Sequence, residues 1–138
     1  MTYWLGVVTR EHVERAVASG IAQIGHGKRA GLARMAPGDW LIYYSPRTSL
    51  ASTEPLQAFT AIGEVADDVV WQADEGDFKP WRRHVAYVAE AADAPIAPLT
   101  RVLDLTSTPN WGATLRRGLL ELSERDFRTI RTAMGVRA

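Results

Sequence analysis

Apolar and polar positions alternate at the start of the chain in the manner of a strand. Over residues 2–8, Tyr3, Leu5 and Val7 fall on one face and Trp4 and Val8 on the other. The period then lengthens. Thr9 has the chemistry of an N-cap, Glu11 is an acid in the first turn, and Val13, Ala16 and Val17 form a short apolar stripe ending at Gly20, a natural C-cap. A second short helix is predicted over residues 28–34, closed by Pro37-Gly38. Pro37-Gly38-Asp39 is turn chemistry, and the aromatic and branched run behind it predicts a strand near 39–45. Gln57 to Val65 reads as its neighbour in the same sheet. Shorter strands are predicted over 69–72, 84–89 and 118–122, whereas Pro95, Pro98 and the segment from Val102 to Leu105 show no clear period. Ser123-Glu124-Arg125-Asp126 is shaped like a capping box with Asp in place of the usual Glu or Gln. Phe127, Ile130 and Met134 recur at helical spacing until Gly135 stops the helix. The elements predict an α+β fold in which a mixed sheet curls into a barrel with short helices outside it.

A length of 138 residues fits one domain, large enough to bury a core without staples. The absence of cysteine removes disulfides, thiolate metal sites and thiol nucleophiles together. No apolar run approaches bilayer length and no signal-peptide pattern opens the chain, so a cytoplasmic protein with no membrane partner is expected. A formal net charge of zero argues against strong nonspecific binding to long nucleic acid, which depends on neutralising phosphates. The charges are nonetheless uneven. Glu64, Asp67, Asp68, Asp74, Glu75 and Asp77 cluster with no intervening base, while Lys28-Arg29, Arg82-Arg83 and Arg116-Arg117 form basic pairs. All basic residues except Lys28 and Lys79 are Arg, suited to bidentate phosphate contacts and to stacking, although genome composition, with Ala also abundant, is the simpler account.

Gly25-His26-Gly27-Lys28 invites comparison with a phosphate-binding loop, but Ala22 stands where that motif needs its first Gly, and Arg29 follows Lys28 in place of Ser or Thr. A nucleotide-hydrolysing loop is therefore excluded. The turn can still bring backbone amides to a ligand, or serve only as a tight connection. His12, His26 and His84 lack a second ligand at metal spacing, so neither a metal nor a cofactor is expected. No nucleophile elbow is present, Ser45 and Ser123 have no sequence cue for His and Asp partners, and the acids between 64 and 77 read as a solvated loop. Nothing points to catalysis. Aromatic residues are the better lead: Trp4 and Trp40 suit a core, whereas Trp81 follows Phe78-Lys79-Pro80 and precedes Arg82-Arg83. A ring beside such charge either packs inward or stacks on a base.

Several motifs together resemble the EVE domain, a member of the PUA-like superfamily related to the YTH readers of methylated adenine. They are Trp4-Leu5-Gly6-Val7-Val8-Thr9-Arg10-Glu11-His12-Val13, the segment from Gly20 to Lys28, Pro37-Gly38-Asp39, Tyr44-Ser45-Pro46, the strand from Gln57 to Val65, and Pro80-Trp81-Arg82-Arg83. The resemblance runs from Tyr3 to Met134 and implies a PUA-like mixed β-barrel, or pseudobarrel, with residues 1–138 as one domain. It also implies a nonenzymatic module that takes a modified or flipped base of DNA or RNA into a pocket between barrel and helices. Carried over position by position, that pocket collects Thr9 and His12 from the first turn, Gln23, Gly25 and Lys28 after the first helix, Tyr44 and Ser45 at the strand end, and Trp81 with Arg82. In this assignment Gln23 offers a donor and an acceptor to a base edge, Trp81 stacks, and Lys28 and Arg82 hold phosphates. One position departs from the YTH pattern: Ala22-Gln23 stands where those readers place a cage Trp, so a full methyl-binding cage does not carry over. A small free ligand such as a nucleoside or nucleotide is the alternative, favoured by the zero net charge.

Overall fold

A computed structural model describes residues 1–137. Its centre is one mixed sheet of seven strands: β1 (Tyr3–Val7), β2 (Ile21–Ala22), β3 (Trp40–Arg47), β4 (Pro55–Gln72), β5 (Trp81–Tyr87), β6 (Ala94–Pro95) and β7 (Leu119–Leu122). The hydrogen-bonded order is β2-β5-β4-β3-β1-β7, with β6 paired to β4. β1 and β3 run parallel, and every other pair is antiparallel. Four short helices complete the fold: α1 (Arg10–Ser19), α2 (Ala30–Ala33), α3 (Trp111–Leu115) and α4 (Glu124–Ala133).

The alternation in β1 divides the molecule as its sequence predicts. Leu5, with Tyr3 and Val7 against it, joins a core containing Ile42, Phe59 and Ile62 of the sheet, Phe127 and Ile130 of α4, and Met134 at its C-cap. Trp4, with Val8 against it, joins the opposite core, made with Leu41, Tyr43 and Ala61 of the sheet, Val13 and Ala16 of α1, and Leu32 of α2. The pseudobarrel is thus a bent sheet with helices on both faces.

The structure revises several boundaries. The strands expected near 57–65 and 69–72 are one long strand, β4, whose pairing with β5 shifts register between Val65 and Val70. Val65 faces Val85 and Val70 faces Arg83, so β4 carries extra residues there as a bulge. Arg83 makes the bulge possible: its fully buried guanidinium donates to the carbonyls of Asp67, Leu32 and Met35. Part of the acidic stretch read as loop is therefore strand, and the connecting loop is confined to residues 73–80. The second helix is shorter than 28–34, because Arg29 at its N-cap makes no side-chain capping bond. At α4, Ser123 Oγ accepts the Asp126 N–H, but the Asp126 carboxylate does not return to Ser123. It accepts instead from the backbone N–H groups of Asp104 and Leu105, tying the 100–107 turns to the helix start. Long-range satisfaction of two buried amides replaces the local box.

Candidate functional site

α1 begins where Thr9 Oγ1 accepts the His12 N–H, and ends at Gly20, whose left-handed backbone (φ 67°) returns its N–H to Ala16 and Val17. Along the helix, His12, Arg15, Ala16 and Ser19 recur at intervals of three and four and form one face. The chain reverses at Gly20 into β2, where Ile21 pairs with His84 and Ala22 with Arg83. That register sets the next residue, Gln23, beside Arg82. A cavity of about 430 Å³ opens between this helix face, β2 and the 73–80 loop, lined also by Gln23, Glu75, Phe78 and Arg82.

Polar contacts on its wall are specific. Arg82 Nε donates to Gln23 Oε1 (3.0 Å), and Arg82 Nη2 reaches Glu75 Oε2 (2.9 Å). His12 Nε2 lies 2.7 Å from the Gln23 carbonyl oxygen, an acceptor only, so Nε2 carries the proton. Burial lowers the His12 pKa, outweighing the hydrogen bond to Gln23 that favours the cation, and Arg15 lowers it further. The imidazole is therefore neutral at pH 7. Behind it stands Tyr43, edge-on to His12 and stacked with Tyr87. Burial pushes the Tyr43 hydroxyl up to about 12. That hydroxyl lies beside Tyr87 and the Gln23 backbone without a hydrogen bond of ordinary geometry, whereas Tyr87 donates to Ile21 O at 2.7 Å.

Of the residues assigned from sequence, His12, Gln23 and Arg82 meet at this cavity, with Thr9 one turn behind as the helix cap. The other assigned residues lie off its wall. Tyr44 is buried in the core of the opposite face, edge-on to Phe59, because adjacent strand residues point to opposite sides; the tyrosine near the cavity is Tyr43. Ser45 is fully buried and shares a 2.8 Å hydrogen bond with Thr60. Trp81 packs on the α1-side core with the Arg29 guanidinium over its ring, while Phe78 supplies the aromatic wall. Gly25 and Lys28 are exposed. The glycine turn acts as a tight connection: Gly27 accepts the Trp81 N–H at 2.8 Å, and a Cβ on it would stand 2.7 Å from Pro80 Cβ. Arg15, Ser19, Glu75 and Phe78 were missed. The helical spacing from His12 marks the first two, but the last two reach the cavity only through the β4–β5 loop.

The EVE domain model matches residues 2–133. The chain belongs to the EVE domain family. A UPF0310 protein of Renibacterium salmoninarum is 49% identical over 132 residues, covering 96% of this chain and 94% of the relative. Another from Mycolicibacterium gilvum is 46% identical, covering 99% and 97%. Among solved structures, a Rhodopseudomonas palustris protein aligns with a TM-score of 0.61 at 15% identity, covering 98% of this chain and 94% of that one. A hypothetical protein from Leishmania major aligns with a TM-score of 0.61 at 16% identity, covering 96% and 93%. At that identity these structures speak for the EVE fold alone. Among the described residues no helix is long and apolar enough to cross a membrane, and no group of three or more His, Cys, Asp or Glu side chains is arranged to hold a metal ion.

Proposed function

We propose that this EVE domain is a nonenzymatic binding module that takes a modified or unpaired base of DNA or RNA into the α1–β2 cavity. The observation that carries the reading is the wall itself. A cavity of about 430 Å³ has Phe78 for stacking, the Gln23 amide for a base edge and Arg15 at the rim for a phosphate. His12 offers its unprotonated nitrogen as a fixed acceptor, because its protonated nitrogen is committed to a backbone carbonyl and burial holds the ring neutral. Titration of fluorescent single-stranded oligonucleotides bearing 5-methylcytosine, 5-hydroxymethylcytosine or N6-methyladenine tests the proposal. A preference for one modification is expected, and equal binding to modified and unmodified strands at every salt concentration counts against modification reading.

The zero net charge favours a second reading, a free nucleoside or nucleotide, which needs no basic track. A thermal-shift screen separates the two, since a ligand of the native state raises its melting temperature. Stabilisation by mononucleosides without any by oligonucleotides supports the free ligand.

A further inference from the structure

We propose that Glu75 and Arg82 are positioning residues that turn the Gln23 carboxamide so that its NH2 group serves the cavity, making the Gln23 position a reader of hydrogen-bond acceptors. The ligand edge it takes carries a ring carbonyl or an unprotonated ring nitrogen. This rests on the base-binding reading above and specifies its polarity.

The argument begins with what Arg can do. A guanidinium only donates, so the Gln23 atom 3.0 Å from Arg82 Nε must be the carboxamide oxygen. The amide's acceptor is thereby engaged, and its NH2, which makes no hydrogen bond among the described residues, is the group left for a ligand. Arg82 is not free to release that oxygen by rotating, because its Nη2 is held at 2.9 Å by Glu75. Its side chain is also 23% exposed, whereas that of Glu75 is 49% exposed, so the pair is anchored on the protein side. The main chain of Gln23 is fixed as well, by β2–β5 pairing on one side and by His12 Nε2–H on its carbonyl. A second donor-only group, the Arg15 guanidinium, lines the same cavity. The Glu75 carboxylate, the one anionic acceptor among the lining residues, is engaged by Arg82, so the wall around Gln23 presents donors and the free acceptor nitrogen lies apart from it on the His12 ring. A rigid, preorganised donor rejects a ligand lacking the matching acceptor, because the donor then loses water without replacement.

Two measurements test this. In the unliganded protein, nitrogen-15 NMR should show a slowly exchanging Arg82 Nε–H at neutral pH. That protection should fall in Glu75→Gln, with the backbone amide spectrum otherwise unchanged. A fast-exchanging Nε–H in the natural sequence overturns the relay. In binding, a short oligothymidylate is compared with the same strand carrying difluorotoluene, a thymine isostere that keeps ring shape and methyl group but lacks strong acceptors. Thymine is the apt probe because it shares the ring carbonyl and methyl of 5-methylcytosine. At least about tenfold preference for thymine is expected, in line with the discrimination of a good base-edge contact. Gln23→Glu, which keeps the size and the Arg82 contact but replaces the donor by an acceptor, should abolish that preference, and Arg82→Met should reduce it. Equal binding of the two strands overturns the acceptor reading while leaving base binding in place. Binding of neither strand, nor of any of the modified oligonucleotides, overturns both.

Discussion

The two faces of the sheet satisfy their buried carboxylates alike and differ in what lies beside them. On the α4 face, Phe59, Ile62 and Leu5 pack against Phe127, Ile130 and Met134, and the buried Asp126 carboxylate is filled by two backbone amides of the chain itself. On the α1 face, the Asp39 carboxylate is likewise filled, by the Trp4 indole and the amides of Thr2 and Ala36. Burial alone would raise the Asp39 pKa, and these donors outweigh it and hold it below the ordinary value. A few residues away the pattern changes. The Tyr43 hydroxyl has no partner of ordinary geometry, and the Gln23 amide NH2 and the unprotonated nitrogen of His12 make no hydrogen bond among the described residues. The Tyr43 hydroxyl is buried without a partner, and the two unused groups beside it face the cavity, where a ligand can reach them. The α4 face is a packed core whose one unpaired buried donor among the described residues, Arg131 Nε, belongs to a guanidinium lying over the Phe127 ring. The other is a core with an opening for something else.

The largest expected effect breaks the closed side. Phe59 is fully buried, and Phe59→Ala should cost about 3–5 kcal/mol through the cavity it leaves, measured by urea denaturation. Asp39→Ala comes next. It strands the Trp4 indole N–H and two backbone N–H groups, for a loss of about 3 kcal/mol by the same measurement. Neither change touches the cavity wall, so ligand affinity of the folded fraction should be unaltered.

A pH series sharpens the open side. The Tyr43 hydroxyl titrates at about 12 in the folded protein against 10.0 in the unfolded chain. The folded state holds the proton more tightly, so stability is intact below pH 10 and falls as pH rises toward 12. His12 works at the acid end. Its folded value lies below 6.5, so the unfolded chain takes up the proton first. Stability should therefore decline as pH drops below 6.5 and level off beneath the depressed folded value. Burial also raises the pKa of the Tyr87 and Tyr44 hydroxyls, which share the alkaline limb. Melting temperatures across both ranges, compared with Tyr43→Phe and His12→Gln, therefore measure the part of each limb that belongs to Tyr43 and to His12. The smallest effects separate stability from recognition. Tyr43→Phe at neutral pH should change stability by no more than about 0.5 kcal/mol, because no good hydrogen bond is lost. Gln23→Ala should cost about 1 kcal/mol of stability or less, yet weaken binding about tenfold and blur discrimination between bases.

Most of the strand and helix pattern was legible before any coordinates. β1, α1, β3, the start of β4, β7 and α4 announce themselves through period and capping residues, because each buries one face and has a local start or stop signal. The continuity of β4 through residues 66–69 was not legible. A run of Asp and Val there reads as surface until a buried Arg83 from another strand is seen to hold its backbone. At the site, His12, Gln23 and Arg82 carry their signal in the motifs around them. The choice between Tyr43 and Tyr44 does not, because a single-residue difference in strand phase decides which face each ring takes.

The sequence by itself determined the family, the alternation that splits β1 between two cores, and the capped helix that carries His12 and Arg15 one turn apart. Those properties are local or repetitive, so neighbouring residues suffice to specify them. Only the tertiary structure decided that Phe78, and not Trp81, stands on the cavity wall, and that the Gln23 carboxamide is oriented from a distance by Arg82 and Glu75. The separation of 59 residues between Gln23 and Arg82 leaves no trace in any local pattern. It is closed by the pairing of β2 with β5, a contact set by how the sheet assembles and not by the residues flanking either partner.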